Sequence, residues 1–343
     1  MQPLTRYHEL YDVVQRRFAT PTTADPPLWQ AWRTAFVAQL RARLALDTPT
    51  PATIDVQAKP PTTHPGYHRQ YITLTSAPGE PLPMWLLVPE GATAARPAVI
   101  AVHGHGYGVD DIVGINADGS ERNEPVNYHK DFAVALCRRG FVVLAPELLG
   151  FGRRREASDA GVSPEQSSCY DAALWGMMLG QPLLGRRVAD IMRALHYLAT
   201  RPEVDQAQIG IMGISGGGMV ALFAAALDER LRAIVISGYL STFRDSILAI
   251  RHCLCNYVPG LLADAEMYDV AALLAPRPLL IEAGIHDPIF PIAAVRDSFA
   301  RIGRTYALLG AEERLGSDFF DGAHQISGAL AYDFLWNWLH RTT

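Results

Sequence analysis

Five short, unbroken apolar runs constrain this chain more than any other feature: Pro97–Val102, Phe141–Ala145, Ile209–Met212, Ala233–Ile236 and Leu279–Ile281. A strand with one wet face alternates polar and apolar side chains. A strand covered on both faces reads instead as a continuous hydrophobic run, as in a parallel sheet. Stretches of helical period lie between the runs. Val188, Ile191, Met192, Leu195 and Leu198 share one helix face, and Met219 to Leu227 is largely apolar all round. Buried strands alternating with helices predict an α/β fold, with a mostly parallel central sheet flanked by helices on both sides.

The sequence ahead of these runs has a different texture. Two helical patterns open the chain. In the second, Asp25-Pro26-Pro27 supplies a cap and a proline in the first turn, and Trp32, Phe36, Leu40 and Leu44 form one apolar stripe. This stripe suits packing on the main domain, with a lid or an oligomer contact as the alternatives. A proline-rich connector is expected from Thr48 to Pro65. Two strands, Gln70–Ser76 and Pro83–Val88, are expected around the turn Ala77-Pro78-Gly79-Glu80. The domain reading is therefore an N-terminal helical extension and connector over 1–65 and a catalytic domain over 66–343. Loop insertions are expected at about 107–130, 151–183 and 241–274.

The formal net charge of −5 and the lack of a basic stripe with interleaved aromatics argue against a nucleic-acid partner. No run of about 18 apolar residues is free of charges and breakers, so no membrane span is expected. The first residues lack an uninterrupted apolar core and an obvious cleavage site, which reads as cytoplasmic. Cys137, Cys169, Cys253 and Cys255 form no paired CxxC framework and are expected to be buried, reduced thiols. Cys253 and Cys255 beside His252 lack a second ligand pair, and His103 and His105 lack partners at matching spacing. No metal and no cofactor are expected.

The chemistry concentrates at Gly213-Ile214-Ser215-Gly216-Gly217, between the run Ile209–Met212 and the helical stretch from Met219. A strand–turn–helix junction this tight holds its serine in a strained conformation, and glycines beside it avoid collisions with strand and helix. Ser215 is the expected nucleophile, with the Gly216 N–H placed at a helix N-terminus near developing negative charge. A serine needs a base, and the base an orienting carboxylate. Asp287 follows the run Leu279–Ile281 and is the preferred acid; Glu282, inside the strand, and Asp321 are its rivals. His324, between Phe319-Phe320 and the last helical stretch, is the expected base, with His286 a bystander. The second oxyanion donor is assigned to the His105 N–H, in the loop His103-Gly104-His105-Gly106. Tyr107, Trp175, Tyr239 and Phe290 are candidate pocket walls.

Residues from about 83 to 340 resemble the dienelactone-hydrolase-like and acetyl-xylan-esterase-like branch of the α/β-hydrolases. The resemblance rests on His103 to Gly106, on Ala145-Pro146-Glu147 followed by Gly150 and Gly152, on Gly213 to Gly218, on Pro276-Arg277-Pro278 leading to Asp287, and on Gly322-Ala323-His324. It implies an α/β-hydrolase fold and a serine carboxylic-ester hydrolase working through an acyl-enzyme. The nucleophile departs from that of dienelactone hydrolases, being serine here and cysteine there. The expected substrates are small, short-acyl esters, with acetylated sugars as one class. A peptidase or amidase on the same residues, or a catalytically silent binding protein, are the alternatives, and a homo-oligomer stays open.

Overall fold

The computed structural model describes residues 3–23, 26–46, 55–76, 80–92 and 94–341. Asp25, the Ala77–Gly79 part of the expected turn and residues 48–54 of the expected connector lie outside them.

One ten-stranded sheet organises the chain. Its strands are β1 (Asp55–Ala58), β2 (Thr62–His64), β3 (Tyr67–Ser76), β4 (Glu80–Pro89), β5 (Arg96–Val102), β6 (Val142–Pro146), β7 (Val204–Ile214), β8 (Leu231–Ser237), β9 (Leu279–Gly284) and β10 (Leu315–Phe320). The order is β1-β3-β4-β6-β5-β7-β8-β9-β10, with β2 paired to β3. From β6 to β10 all neighbours are parallel; β1, β2, β3 and β4 add an antiparallel edge. Each of the five apolar runs overlaps one of the parallel strands. Part of the sequence expected as connector thus joins the sheet, since β1 and β2 both pair with β3. Their side chains are almost all exposed, so the hydrophobic signal is missing there.

Alternation along the strands divides the core in two. Ile100, Val102, Ile211, Ile234, Ile236 and Ile281 face the helices Leu183–Leu198, Gly216–Leu227 and Ile292–Leu308. Val99, Ala101, Met212, Ile214, Val235 and Leu280 face Phe132–Arg138 and Ala331–Leu339. Helix Gly216–Leu227 is apolar on every side because it is buried over nearly its whole length.

The N-terminal helix Pro26–Arg43 docks on the first of these faces. Phe36, Leu40 and Leu44 are buried there, and the Phe18 ring stacks on Phe36 at 4.9 Å. Gly185 permits the approach, since a side chain there would strike the Leu44 backbone. Distant carboxylates complete the attachment. The Tyr11 hydroxyl donates to Glu266 at 2.6 Å, Thr20 to Asp269 at 2.6 Å, and the Arg43 Nε to Asp264 at 2.6 Å. No described helix is long and apolar enough to cross a membrane.

Candidate active site

The carboxyl ends of the parallel strands bring the predicted residues to one edge. β7 runs into helix Gly216–Leu227 through Ser215, whose backbone sits at φ 56°, ψ −124°. This region is costly for a residue with a Cβ and persists only where its surroundings enforce it. The enforcement is steric. A Cβ on Gly213 would run into the Gly217 carbonyl, and one on Gly217 into the Val102 and His103 carbonyls. The Ser215 N–H is anchored to the Ser237 carbonyl at 3.0 Å.

β9 and β10 deliver the expected acid and base. They pair in parallel with Gly284 opposite Phe320, so their following loops leave side by side. Gly284 has no side chain because the Gly322 and Ala323 carbonyls occupy that space. Asp287 Oδ2 lies 2.6 Å from His324 Nδ1, and Asp287 Oδ1 accepts from the N–H groups of Ile289 at 2.8 Å and Phe290 at 3.1 Å. A carboxylate only accepts, so Nδ1 carries the proton and Nε2 keeps its lone pair. The His324 ring packs over Gly238, beside Ile214 and hence next to the serine.

The rival groups are engaged elsewhere. Glu282 is fully buried, accepting from the Ser237 hydroxyl at 2.7 Å and from the N–H groups of Ser327 and Gly328. Burial pushes its carboxyl above the ordinary range. Asp321 and His286 pair with each other at 2.9 Å on the exposed surface. His103 is buried with Nδ1 on the Gly104 carbonyl at 2.7 Å, and its Nε2 accepts from the Leu148 N–H at 3.1 Å.

The loop after β5 lies against the serine: a Cβ on Gly104 would sit 3.1 Å from that of Ser215. The His105 N–H has no hydrogen-bond partner among the described residues. Gly216, the first residue of its helix, has none within the helix. A Cβ at position 216 would come within 3.1 Å of His105 Nδ1, so glycine there makes room for an imidazole.

Residues not foreseen from sequence hold this loop. The Tyr128 hydroxyl donates to the His105 carbonyl at 2.5 Å, and its ring stacks on His324 at 5.4 Å. Burial keeps that hydroxyl protonated well past its ordinary range. His129 accepts the Gly104 N–H on Nε2 at 2.9 Å and donates from Nδ1 to Asp111 at 2.9 Å. Burial opposes the charge on Asp111, but hydrogen bonds led by that from His129 prevail and hold its carboxyl at about 2. Burial lowers His129, against the pull of Asp111. No periodic signal marks residues 116–131, so their part in the site was unreadable.

Of the expected pocket walls, Phe290 and Tyr239 adjoin the site. Phe290 stacks on His324 at 5.7 Å, and Tyr239 lies 5.4 Å from Phe290. Trp175 is exposed, and Tyr107 is tied to the Ile115 carbonyl and Arg122. A cavity of about 630 Å³, lined by Trp29, Arg33, Arg277 and Arg314 among others, opens at the amino ends of the strands. It is remote from Ser215, and ligands of α/β sheets bind at the carboxyl ends.

Residues 88–301 match the model of the dienelactone hydrolase family. The chain is 30% identical over 273 residues to the protein YtaP of Bacillus subtilis (strain 168), covering 76% of this chain and 84% of that one. Among solved structures, a Bacteroides fragilis NCTC 9343 protein, assigned by name to the acetyl xylan esterases, superimposes with a TM-score of 0.78 at 16% identity, over 93% of this chain and 82% of that one. A glucuronoyl esterase from Solibacter usitatus superimposes with a TM-score of 0.68 at 14% identity, over 95% and 98%. The two structures share the fold. The family match and the YtaP likeness carry the assignment further: this chain belongs to the dienelactone hydrolase family.

Proposed function

We propose that the protein is a serine carboxylic-ester hydrolase acting on small, short-acyl esters, acetylated sugars among them. The observation that carries this reading is the strained Ser215 at the end of β7, beside an Asp287–His324 pair closed at 2.6 Å. Ser215 Oγ attacks the ester carbonyl, and His324 Nε2 takes its proton. The Gly216 and His105 N–H groups receive the oxyanion. His324 then protonates the leaving alcohol, and water, deprotonated by the same imidazole, releases the acid and restores Ser215. Asp287 fixes the tautomer of His324 and stabilises its charged form. Short acyl groups suit a buried Ser215 and a His324 flanked by the rings of Tyr128 and Phe290. Four cysteines with no disulfide between them suit a reducing, cytoplasmic setting.

Chromogenic esters of increasing acyl length test the reading, with an organophosphonate label located by peptide mass spectrometry. The expected result is turnover greatest for acetate and a label on Ser215 alone. Ser215→Ala should abolish covalent labelling and leave only the rate from binding and the oxyanion donors, ~10³-fold over water. An active enzyme labelled elsewhere would overturn it.

A further inference from the structure

Four ligand-bearing side chains from three separate segments meet beside the site. They are His105 after β5, Cys169 at the start of helix Cys169–Met178, and Cys253 and Cys255 in the last long insertion. Their donor atoms all lie within 4.8 Å of one another. His105 Nε2 stands 3.7 Å from Cys255 Sγ. That is the edge expected of a tetrahedron with zinc–sulfur bonds of about 2.3 Å and zinc–nitrogen bonds of about 2.0–2.1 Å, roughly 3.6 Å. His252, the histidine nearest to Cys253 in sequence, is not among the four and contacts Asn256 instead.

A second observation is electrostatic. Arg187 is fully buried, yet no carboxylate among the described residues pairs with it. Its hydrogen bonds run to the Leu149 carbonyl and, at 3.0 Å, to Cys169 Sγ. A guanidinium stays protonated in proteins, and a buried charge without a counter-charge is strongly unfavourable. The sulfur cluster must therefore carry negative charge. Three thiolates around a divalent cation carry a net charge of −1, which Arg187 neutralises. Asn256 Nδ2, 3.5 Å from Cys255 Sγ, supplies an outer hydrogen bond of the kind that metal-bound thiolates attract.

From this geometry we infer that His105, Cys169, Cys253 and Cys255 form a zinc site. Three thiolates and one imidazole are the donor set of closed, tetrahedral structural zinc. With four protein ligands no position is left for substrate, so the ion acts as a clamp. It ties helix Cys169–Met178 and the Cys253–Cys255 turn to the loop that carries the His105 N–H. Coordination through Nε2 leaves the proton on Nδ1, the atom that packs against Gly216. The inference is independent of the proposed ester chemistry.

The test is elemental analysis of the full chain purified without chelator, alongside Ser215→Ala, Cys169→Ser, Cys255→Ser, Arg187→Met and Cys137→Ser. Wild type and Ser215→Ala are expected to hold about one zinc per chain. Cys169→Ser and Cys255→Ser should lose it. Arg187→Met should bind ~10–100-fold more weakly, the usual cost of removing an outer partner. Cys137, buried under the opposite face of the sheet, is the control and should keep its metal. Circular dichroism separates metal loss from misfolding. The wild type also gives a readout without substitution: a mercurial titration of its thiols should release zinc in step, and cobalt in its place should show the intense visible bands of a tetrahedral thiolate site. Wild type that neither contains nor takes up zinc would overturn the inference, whether its cysteines are free or paired as a disulfide.

Discussion

Two histidine–aspartate pairs adjoin Tyr128, alike until their last atom. In each, an aspartate holds the Nδ1 of a histidine, at 2.6 Å for Asp287–His324 and 2.9 Å for Asp111–His129. Both rings contact Tyr128. The difference lies at Nε2. In His129 it accepts the Gly104 N–H and is saturated; in His324 no described residue occupies it. The same two side chains thus make a rivet for the loop after β5 in one place and, in the proposed reaction, a base with a free lone pair in the other. What distinguishes them is burial. The His129 side chain is fully enclosed, whereas that of His324 keeps 15% exposure, toward which a substrate can come.

The sharpest way to break this comparison is to remove the orienting carboxylate of the open pair. Asp287→Asn should lower kcat by about 10⁴-fold with little change in fold, as expected when a triad histidine is held in the wrong tautomer. A steady-state comparison with Asp111→Asn checks the difference in role: the latter should fail mainly in stability, since buried Arg122 loses one of its two carboxylate partners and keeps only Asp131.

The closed pair is next. His129→Leu leaves the Gly104 N–H without an acceptor in the interior, which should cost about 1–3 kcal/mol in a urea titration. Through the loosened loop kcat should fall by about 10²-fold or less, with KM nearly constant. Equal losses for His129→Leu and His324→Leu would dissolve the distinction.

A pH titration follows, with a smaller effect. The folded His129 is lowered below its ordinary value, so unfolded chains take up its proton first. Its contribution to stability is full above about pH 6.5 and is lost as pH falls through the folded value. Asp111, held at about 2, stays ionised across that window. The groups facing His129 are Asp111, His103, His324 and Tyr128. Imidazole nitrogen resonances should therefore show His129 titrating below an ordinary histidine, with Nδ1 carrying the proton of the neutral ring. A His129 that titrates at or above 6.5 would contradict the enclosed geometry.

The surface pair His286–Asp321 is the smallest case. It shares the chemistry of the other two but lies in water, so Asp321→Asn should change stability by less than about 0.5 kcal/mol and leave turnover unaltered. A crippled Asp321→Asn enzyme would transfer the acid's role to it.

What sequence could disclose follows from distance along the chain. Ser215 was legible because strand, turn and helix are contiguous and the glycines around it have a steric reason. Asp287 and His324 were legible because each follows an apolar run, and chain order did the rest. Asp111, Tyr128 and His129 belong to a stretch without periodicity, stabilised by contacts with β5 and the last loop. The sulfur cluster was hidden for a similar reason. Cys253 and Cys255 are neighbours, but His105 is 150 residues from Cys255, and only the folded sheet brings them together. Among the strands, β1 and β2 were missed because their side chains face water, and β10, Leu-Gly-Ser-Asp-Phe-Phe, offers only its last two residues as a signal.

The attachment of the segment from Tyr11 to Arg43, which includes helix Pro26–Arg43, has a bearing on how the chain is made. Tyr11, Thr20 and Arg43 bond to residues 255, 249 and 221 positions later. On a ribosome these partners emerge long after the helix does. At about 5–20 residues per second the delay is roughly 10–50 s. Through that interval Trp29, Phe36 and Leu40 have no core to enter, and closing so long a loop is intrinsically slow. Helix Pro26–Arg43 is thus among the last elements to dock, and the nascent chain carries a sticky amphipathic segment that chaperones are suited to shield.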